Sequence, residues 1–172
     1  LKNAGVPTAQ SRVFDSVQAA RTWIESQLDV AFPLVVKLDG LFLGKGVAVC
    51  TTKSQALLAL DSWAGLSAEG AARAVLIEEF LQGEEISWLA LCDGKQARLY
   101  PPARDYKRLI GPSAGPNTGG MGSYVPIKEA ERALGYERIE REVFAPVLAE
   151  MKRLGRPYRG VLYAGLMWDR RR

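Results

Sequence analysis

The stretch "PLVVKLDGLFLGKGVAVCTT", residues 33 to 52, sets two β-branched runs either side of a glycine-rich turn, and "KSQALLALDSWAG" follows with helical spacing. Strand, turn, strand, helix is not the order of a doubly wound parallel sheet, whose strands are separated by helices. Nor is the turn a Walker-type phosphate loop. That needs G-x-x-x-x-G-K-[ST] between a strand and a helix, whereas here Gly40 and Gly44 stand too close together, Gly46 follows Lys45, and a strand comes next. Such a turn can lie over nucleotide phosphates as a flap, offering backbone amides and Lys45, or it can be an ordinary hairpin with surface lysines. Lys37 lies within the first run, where an ammonium needs an anion or a route to water.

The rest of the chain alternates less regularly. Residues 16 to 28 read as an amphipathic helix with Val17, Ala20, Ile24 and Leu28 on one side and Asp15 or Ser16 as cap. The second helix shows Leu57, Leu58 and Trp63 as its apolar side and Gly65 as its stop. "AVLIEEF" reads as a buried strand, and "EEISWLALC" and "KQARLYPP" flank Asp93-Gly94 as a tight hairpin. A glycine-rich loop follows, "GPSAGPNTGGMGSY" at 111 to 124. A helix bent near Pro146 comes next, and "YRGVLYAGLMW" closes the chain as a strand in a sheet interior. The order predicts a mixed α+β fold.

Composition narrows the chemistry. With 172 residues and 48% hydrophobic content the chain can bury a core in one domain or two small lobes. There is no histidine, so the Ser-His nucleophile and the commonest metal ligand are absent, and chemistry falls to Lys, Arg, Asp, Glu and backbone. Cys50 and Cys92, each inside an apolar run, suit buried free thiols in a reducing compartment. No leader or long apolar run points to secretion or a membrane, so the expectation is cytoplasm. Basic residues crowd the last part of the chain, but no zinc finger or basic-aromatic run supports nucleic acid as a partner. Leu1 in place of Met gives the expectation of a segment of a longer parent.

Two clusters could carry chemistry. "LIEEFLQGEEIS" places Glu78, Glu79, Glu84 and Glu85 around a turn, and a carboxylate just after it can accept both hydroxyl hydrogens of a ribose. Glu79 and Glu84 suit a solvated turn, whereas Glu78 and Glu85 bracket apolar Phe80 and Leu81. "ARDYKRLIGPSAGPNTGGMGSY" joins Arg104, Asp105, Lys107 and Arg108 to the glycine-rich loop, cations beside exposed amides such as a multiply charged anion requires.

In order and spacing, "VVKLDGLFLGKGVAV", "IEEFLQGEEIS", "DYKR", "GPNTGGMGSYVP" and "YRGVLYAGLM" resemble the phosphoribosylamine–glycine ligases, ATP-grasp enzymes of purine biosynthesis. The resemblance spans nearly the whole chain, and "GPNTGGMG" and "YRGVLYAGLM" are its specific parts. It implies a small lid lobe at residues 1–77 closing over ATP on a larger lobe with a mixed or antiparallel sheet, here partial at 78–172. By this likeness Glu78, Glu79, Phe80 and Leu81 hold adenine, Glu85 the ribose, and Lys37, Lys45 and Gly44 to Gly46 the phosphates. Asp105, Lys107 and the segment Pro116, Asn117, Thr118, Gly119, Gly120, Met121 and Gly122 would face substrate, and Lys37, Lys45, Asp105 and Lys107 would serve catalysis.

The implied reaction joins glycine to 5-phosphoribosylamine through glycyl phosphate and releases ADP and phosphate. The alternatives are another ATP-grasp carboxylate–amine ligase or a non-catalytic nucleotide-binding module. Where the family has Asp-His-Lys this chain has Asp105-Tyr106-Lys107, so no charged role is available at 106 near neutral pH. The family continues into an acidic strand that binds Mg²⁺ (or Mn²⁺). Its ligands are not among these residues, and the expectation is a segment inactive by itself, with the rest of the parent chain as a partner.

Overall fold

The computed structural model describes residues 1–27, 31–40, 42, 46–68, 74–110 and 114–171. They form two compact units, Ala9–Leu81 and a second made of Leu1–Thr8 with Gln82–Arg172. The division falls after Leu81, and the amino-terminal residues go with the second unit. There a short 3-10 turn, Lys2–Ala4, packs against the helix of Ala145–Arg153.

In the unit Ala9–Leu81, strands β1 (Ser11–Phe14), β2 (Leu34–Leu38), β3 (Val47–Cys50) and β4 (Val75–Glu79) make an antiparallel sheet ordered β1-β4-β2-β3. Helices α1 (Val17–Ser26) and α2 (Lys53–Ala68) cover one face. The Ser16 hydroxyl accepts the Ala19 amide at 3.1 Å and so caps α1. Lys53 Nζ closes its far end by donating to the carbonyls of Glu25 and Gln27 at 2.8 and 3.0 Å. Val17, Ala20 and Ile24 from α1 meet Val36, Leu38, Val75 and Ile77 from the sheet in one buried cluster. Full burial of a side chain such as Ile24 favours folding by about 1.5–3 kcal/mol.

The apolar side of α2 differs from the expected one. Ala56, Leu60 and Trp63 are buried, Leu57 is partly buried, and Leu58 is 68% exposed. Adjacent leucines lie about 100° apart around a helix, so the i, i+4, i+7 set takes the core and Leu58 faces water. The helix also runs past Gly65 to Ala68. Leu28 lies outside the described residues. Strand β1 was not anticipated, since "SRVF" is short and interrupted by charge; pairing with β4 creates it.

In the second unit β5 (Glu84–Asp93) pairs with β6 (Ala97–Leu99) on one side and with β9 (Arg159–Trp168) on the other. The β5–β6 turn centres on Gly94-Lys95, one residue later than expected. The Asp93 amide donates to the Gln96 carbonyl at 3.2 Å, and its carboxylate accepts the amides of Lys95 and Gln96, both at 2.8 Å. Strand β9 is at the sheet's edge among the described residues, with Val161, Tyr163 and Met167 half exposed, so the expected interior position is corrected.

The glycine-rich segment, expected as a loop, is mostly a strand. β8 (Ala114–Tyr124) pairs antiparallel with β7 (Arg104–Ile110), and register shifts on either side of Arg108 accommodate the irregularity. Gly120 and Gly122 hold φ of 129° and 151° within it, which side chains rarely adopt. The long helix is likewise divided. α3 (Lys128–Leu134) ends at Gly135, then α4 (Tyr136–Ile139), a π-helical turn (Glu140–Phe144) and α5 (Ala145–Arg153) run on. Pro146 has no amide for the carbonyl of residue 142, and the turn before it widens to the π form. Phe144, Leu148 and Ile139 pack on Trp88, Ala90 and Cys92 of β5. Both cysteines are free and buried, as expected, and burial pushes their thiols up.

Candidate functional site

Each unit leaves one sheet face uncovered by its helices, and the ionisable candidates stand on these faces. In the unit Ala9–Leu81 the register puts Val13, Leu76, Lys37 and Val47 in one row and Ser11, Glu78, Val35 and Val49 in the next. Val13, Val47 and Val49 are 59%, 42% and 46% exposed, so this is an apolar floor open to solvent. Lys37 Nζ lies 2.5 Å from Glu78 Oε2 across that floor. An ammonium has three donors, so the pair fixes the lysine while leaving donors for a further acceptor.

Glu79 is used differently from its neighbour. Its side chain accepts the Gln10 amide at 2.9 Å and its own amide donates to the Gln10 carbonyl at 3.0 Å, clasping the β1–β4 margin. Phe80 and Leu81, a little over a third exposed, follow beyond the ladder. Gly46 closes the β2–β3 connection, its carbonyl accepting the Leu38 amide at 2.8 Å, and a side chain there would strike Phe42 at 2.9 Å. Gly44 and Lys45 lie outside the described residues.

In the second unit the alternation of β5 separates two adjacent carboxylates. Glu84 shares the helix-covered side with Ile86 and Trp88, and Glu85 shares the open side with Ser87. Glu84 is not a solvated turn residue. Arg104 and Arg170 both pair with it, Arg170 at 2.5 Å, and Arg170 reaches Glu129 at 2.8 Å and stacks over Trp168 at 4.8 Å. Hydrogen bonding from Arg170 is the largest effect, and together with the hydrogen bond and charge of Arg104 it outweighs burial and lowers the Glu84 pKa below the ordinary carboxylate range.

On the open side Lys107 Nζ bonds Glu85 Oε1 at 2.7 Å and lies 3.3 Å from Asp105 Oδ2. Burial alone would lower the lysine pKa, but the two carboxylates, Glu85 foremost, override it and raise the value. The four-charge cluster read from sequence is thereby split. Arg104 is engaged by Glu84, the Arg108 side chain lies outside the described residues, and Lys107 is shared by two carboxylates. A triplet with one net negative charge favours hydroxyl or amine donors over a bare polyanion.

Thr118 ties the hairpin together: its hydroxyl donates to the Lys107 carbonyl at 2.8 Å and accepts the Gly120 amide at 3.2 Å. Pro116, Asn117 and Gly119 are placed by backbone alone within β8, Asn117 opposite Arg108. Met121 is 58% exposed. Tyr106 turns away from Lys107 and stacks on Tyr124, ring centres 6.1 Å apart. Sequence reasoning missed Ser87 and Tyr163, which join this cluster from β5 and β9. A buried serine inside an apolar strand was the available signal.

Residues 1–171 match the model of the phosphoribosylglycinamide synthetase ATP-grasp (A) domain. The chain belongs to that family. The phosphoribosylamine–glycine ligase of Rhodopirellula baltica is 43% identical over 171 residues, which cover 97% of this chain and 39% of that protein. The crystal structure of the phosphoribosylamine–glycine ligase from Thermotoga maritima superposes with a TM-score of 0.80 at 35% identity, over 96% of this chain and 41% of its own. An N5-carboxyaminoimidazole ribonucleotide synthetase from Thermus thermophilus, at 23% identity and TM-score 0.57 over 96% of this chain and 38% of its own, shares the fold. This ATP-grasp domain is α+β, as its element order predicts, and spans about two fifths of these relatives' length. Among its described residues no helix is long and apolar enough to cross a membrane, and no group of three or more His, Cys, Asp or Glu is arranged to hold a metal ion.

Proposed function

We propose that the intact protein carrying this domain is a phosphoribosylamine–glycine ligase. It joins glycine to 5-phosphoribosylamine at the expense of ATP and yields glycinamide ribonucleotide, ADP and phosphate. The observation that carries this reading is the Lys37–Glu78 pair on an open apolar sheet face, in a chain matched to the ATP-grasp A domain along almost its whole length. A flat apolar floor accepts a planar base, and an oriented ammonium with unused donors accepts a phosphate oxygen. Lys37 is assigned to the phosphates, and so are Lys45 and Gly44 to Gly46. Because the Glu79 amide and carboxylate are committed to Gln10, the adenine contact is assigned to the backbone of Phe80 and Leu81. Glu85 is assigned to the ribose hydroxyls, and Asp105, Lys107 and residues 115 to 122 to the acyl and amine substrates.

In the proposed reaction a glycine carboxylate oxygen attacks the γ-phosphorus as the bond to ADP breaks. The amine nitrogen then attacks the acyl carbon, phosphate leaves, and the nitrogen gives its extra proton to solvent. Positioning and charge neutralisation supply the catalysis, which suits a site without histidine. The described residues do not fit a divalent cation, since Glu85 and Asp105 are both engaged by Lys107. A cytoplasmic setting, with glycine, phosphoribosylamine and ATP as partners and neither nucleic acid nor membrane, belongs to the same proposal.

The test is ADP release by the intact protein with glycine and phosphoribosylamine supplied singly and together. Turnover that needs both supports the assignment, and turnover on a different acid and amine overturns it. Lys37→Ala removes a charge-assisted contact and lowers turnover roughly 10- to 150-fold. Glu79→Ala instead lowers the melting temperature and leaves turnover close to wild type. Equal losses of turnover in the two variants would reverse the roles given to these residues.

A further inference from the structure

The motif "YRGVLYAGLM" forms β9, which delivers the Tyr163 side chain to the open face. Ser87 on β5 pairs with Gly165 on β9, and Tyr163 lies two residues before that glycine on the same face. The Tyr163 ring lies over Gly165: a β-carbon built there would come within 3.2 Å of the phenol oxygen and 3.4 Å of Cε1. Laid down in this way, the phenol reaches Ser87 Oγ at 3.3 Å. Ser87 is 8% exposed and its hydroxyl donates onward to Asp105 Oδ1 at 3.4 Å. The other Asp105 oxygen faces Lys107, which in turn holds Glu85. The Ser87 backbone exchanges two 2.8 Å hydrogen bonds with Ala103, so the middle of this chain is anchored both to β5 and to the residue that enters β7.

We propose that Tyr163 and Ser87 are positioning residues, and that Gly165 is glycine so that the phenol can lie flat enough to reach them. The phenol donates to the serine, the serine donates to Asp105 Oδ1, and Asp105 is thereby held with Oδ2 toward Lys107. A hydroxyl rotor satisfied on both sides has one orientation, and that orientation is passed along the chain of hydrogen bonds. The ligase reading gives this arrangement its use, and the inference rests on that reading for its effect on turnover but not for the coupling itself.

Reductive ¹³C-methylation of lysines in the intact protein keeps their charge and gives Lys107 an NMR signal sensitive to Asp105. Tyr163→Phe and Ser87→Ala should move that signal in the same direction, and Ser87→Thr should restore it. In ADP-release kinetics Tyr163→Phe should lower kcat about three- to tenfold with KM for ATP unchanged, and the double variant should lose no more than Ser87→Ala alone. Gly165→Ala should mimic Tyr163→Phe and add nothing to it. A Lys107 signal unmoved in both single variants, or losses that multiply in the double variant, would overturn the inference. A coupled Lys107 signal in a protein that ignores glycine would instead sink the ligase reading alone.

Discussion

Gly83→Ala tests how tightly the entrance to β5 is built. Gly83 has φ of 153°, and a β-carbon there would sit 2.6 Å from the Trp168 carbonyl oxygen and 2.8 Å from its carbon, both backbone atoms that cannot swing aside. Strain from the positive φ costs about 1–3 kcal/mol. Overpacking against fixed atoms adds about 1–3 kcal/mol. The control is Gly155→Ala in the same unit. Gly155, at φ of 72°, closes α5 as its amide and that of Arg156 bond the carbonyls of Lys152 and Met151 at 3.0 and 2.9 Å, but nothing lies within 4 Å of an added β-carbon. That variant bears only the left-handed penalty, about 1–2 kcal/mol. Thermal and urea denaturation of the two proteins should therefore differ, with Gly83→Ala melting lower by several degrees, since each kcal/mol shifts a unit of this size by roughly 4–8 °C. Indistinguishable midpoints would refute the claim that Trp168 backbone crowds this position.

Ser16→Ala removes the acceptor for the Ala19 amide and should cost about 1 kcal/mol in urea denaturation, with Ser16→Thr close to wild type. Glu84 titrates in the folded protein below its ordinary 4.5, so its ionised form favours folding. That contribution is present above about pH 4.5 and lost as pH falls through the lowered value. Glu84→Gln should be less stable at neutral pH and lose less stability between pH 5 and 3, and an unchanged acid slope would count against the Arg104–Glu84–Arg170 network.

The strands and helices with clean periodicity were legible in the sequence, and so was the gathering of charge that the structure resolves into the Lys37–Glu78 pair of one unit and the Glu85–Lys107–Asp105 cluster of the other. What escaped was decided by partners far along the chain. Strand β1 exists because β4 offers it a ladder, and the glycines of β8 lie in a strand because β7 supplies theirs, against their own preference. Leu58 was misplaced because two adjacent leucines look equally apolar until a core chooses between them. At the site, charge alone could not say that Arg104 answers to Glu84 on one side of the sheet and Lys107 to Glu85 on the other. Ser87 and Tyr163 are uncharged and 76 positions apart, so only the β5–β9 pairing brings them together.

The opposite facing of Glu84 and Glu85 means that two neighbouring codons answer to unrelated demands, one to the arginines that gather the strand ends and one to Lys107 on the other face. Substitutions can tune either demand without disturbing the other. Gain or loss of a single residue between Glu85 and Ile86, with the buried face of β5 fixing the rest of the strand, would exchange them, which makes this strand end a place where the protein can change letters far more readily than length.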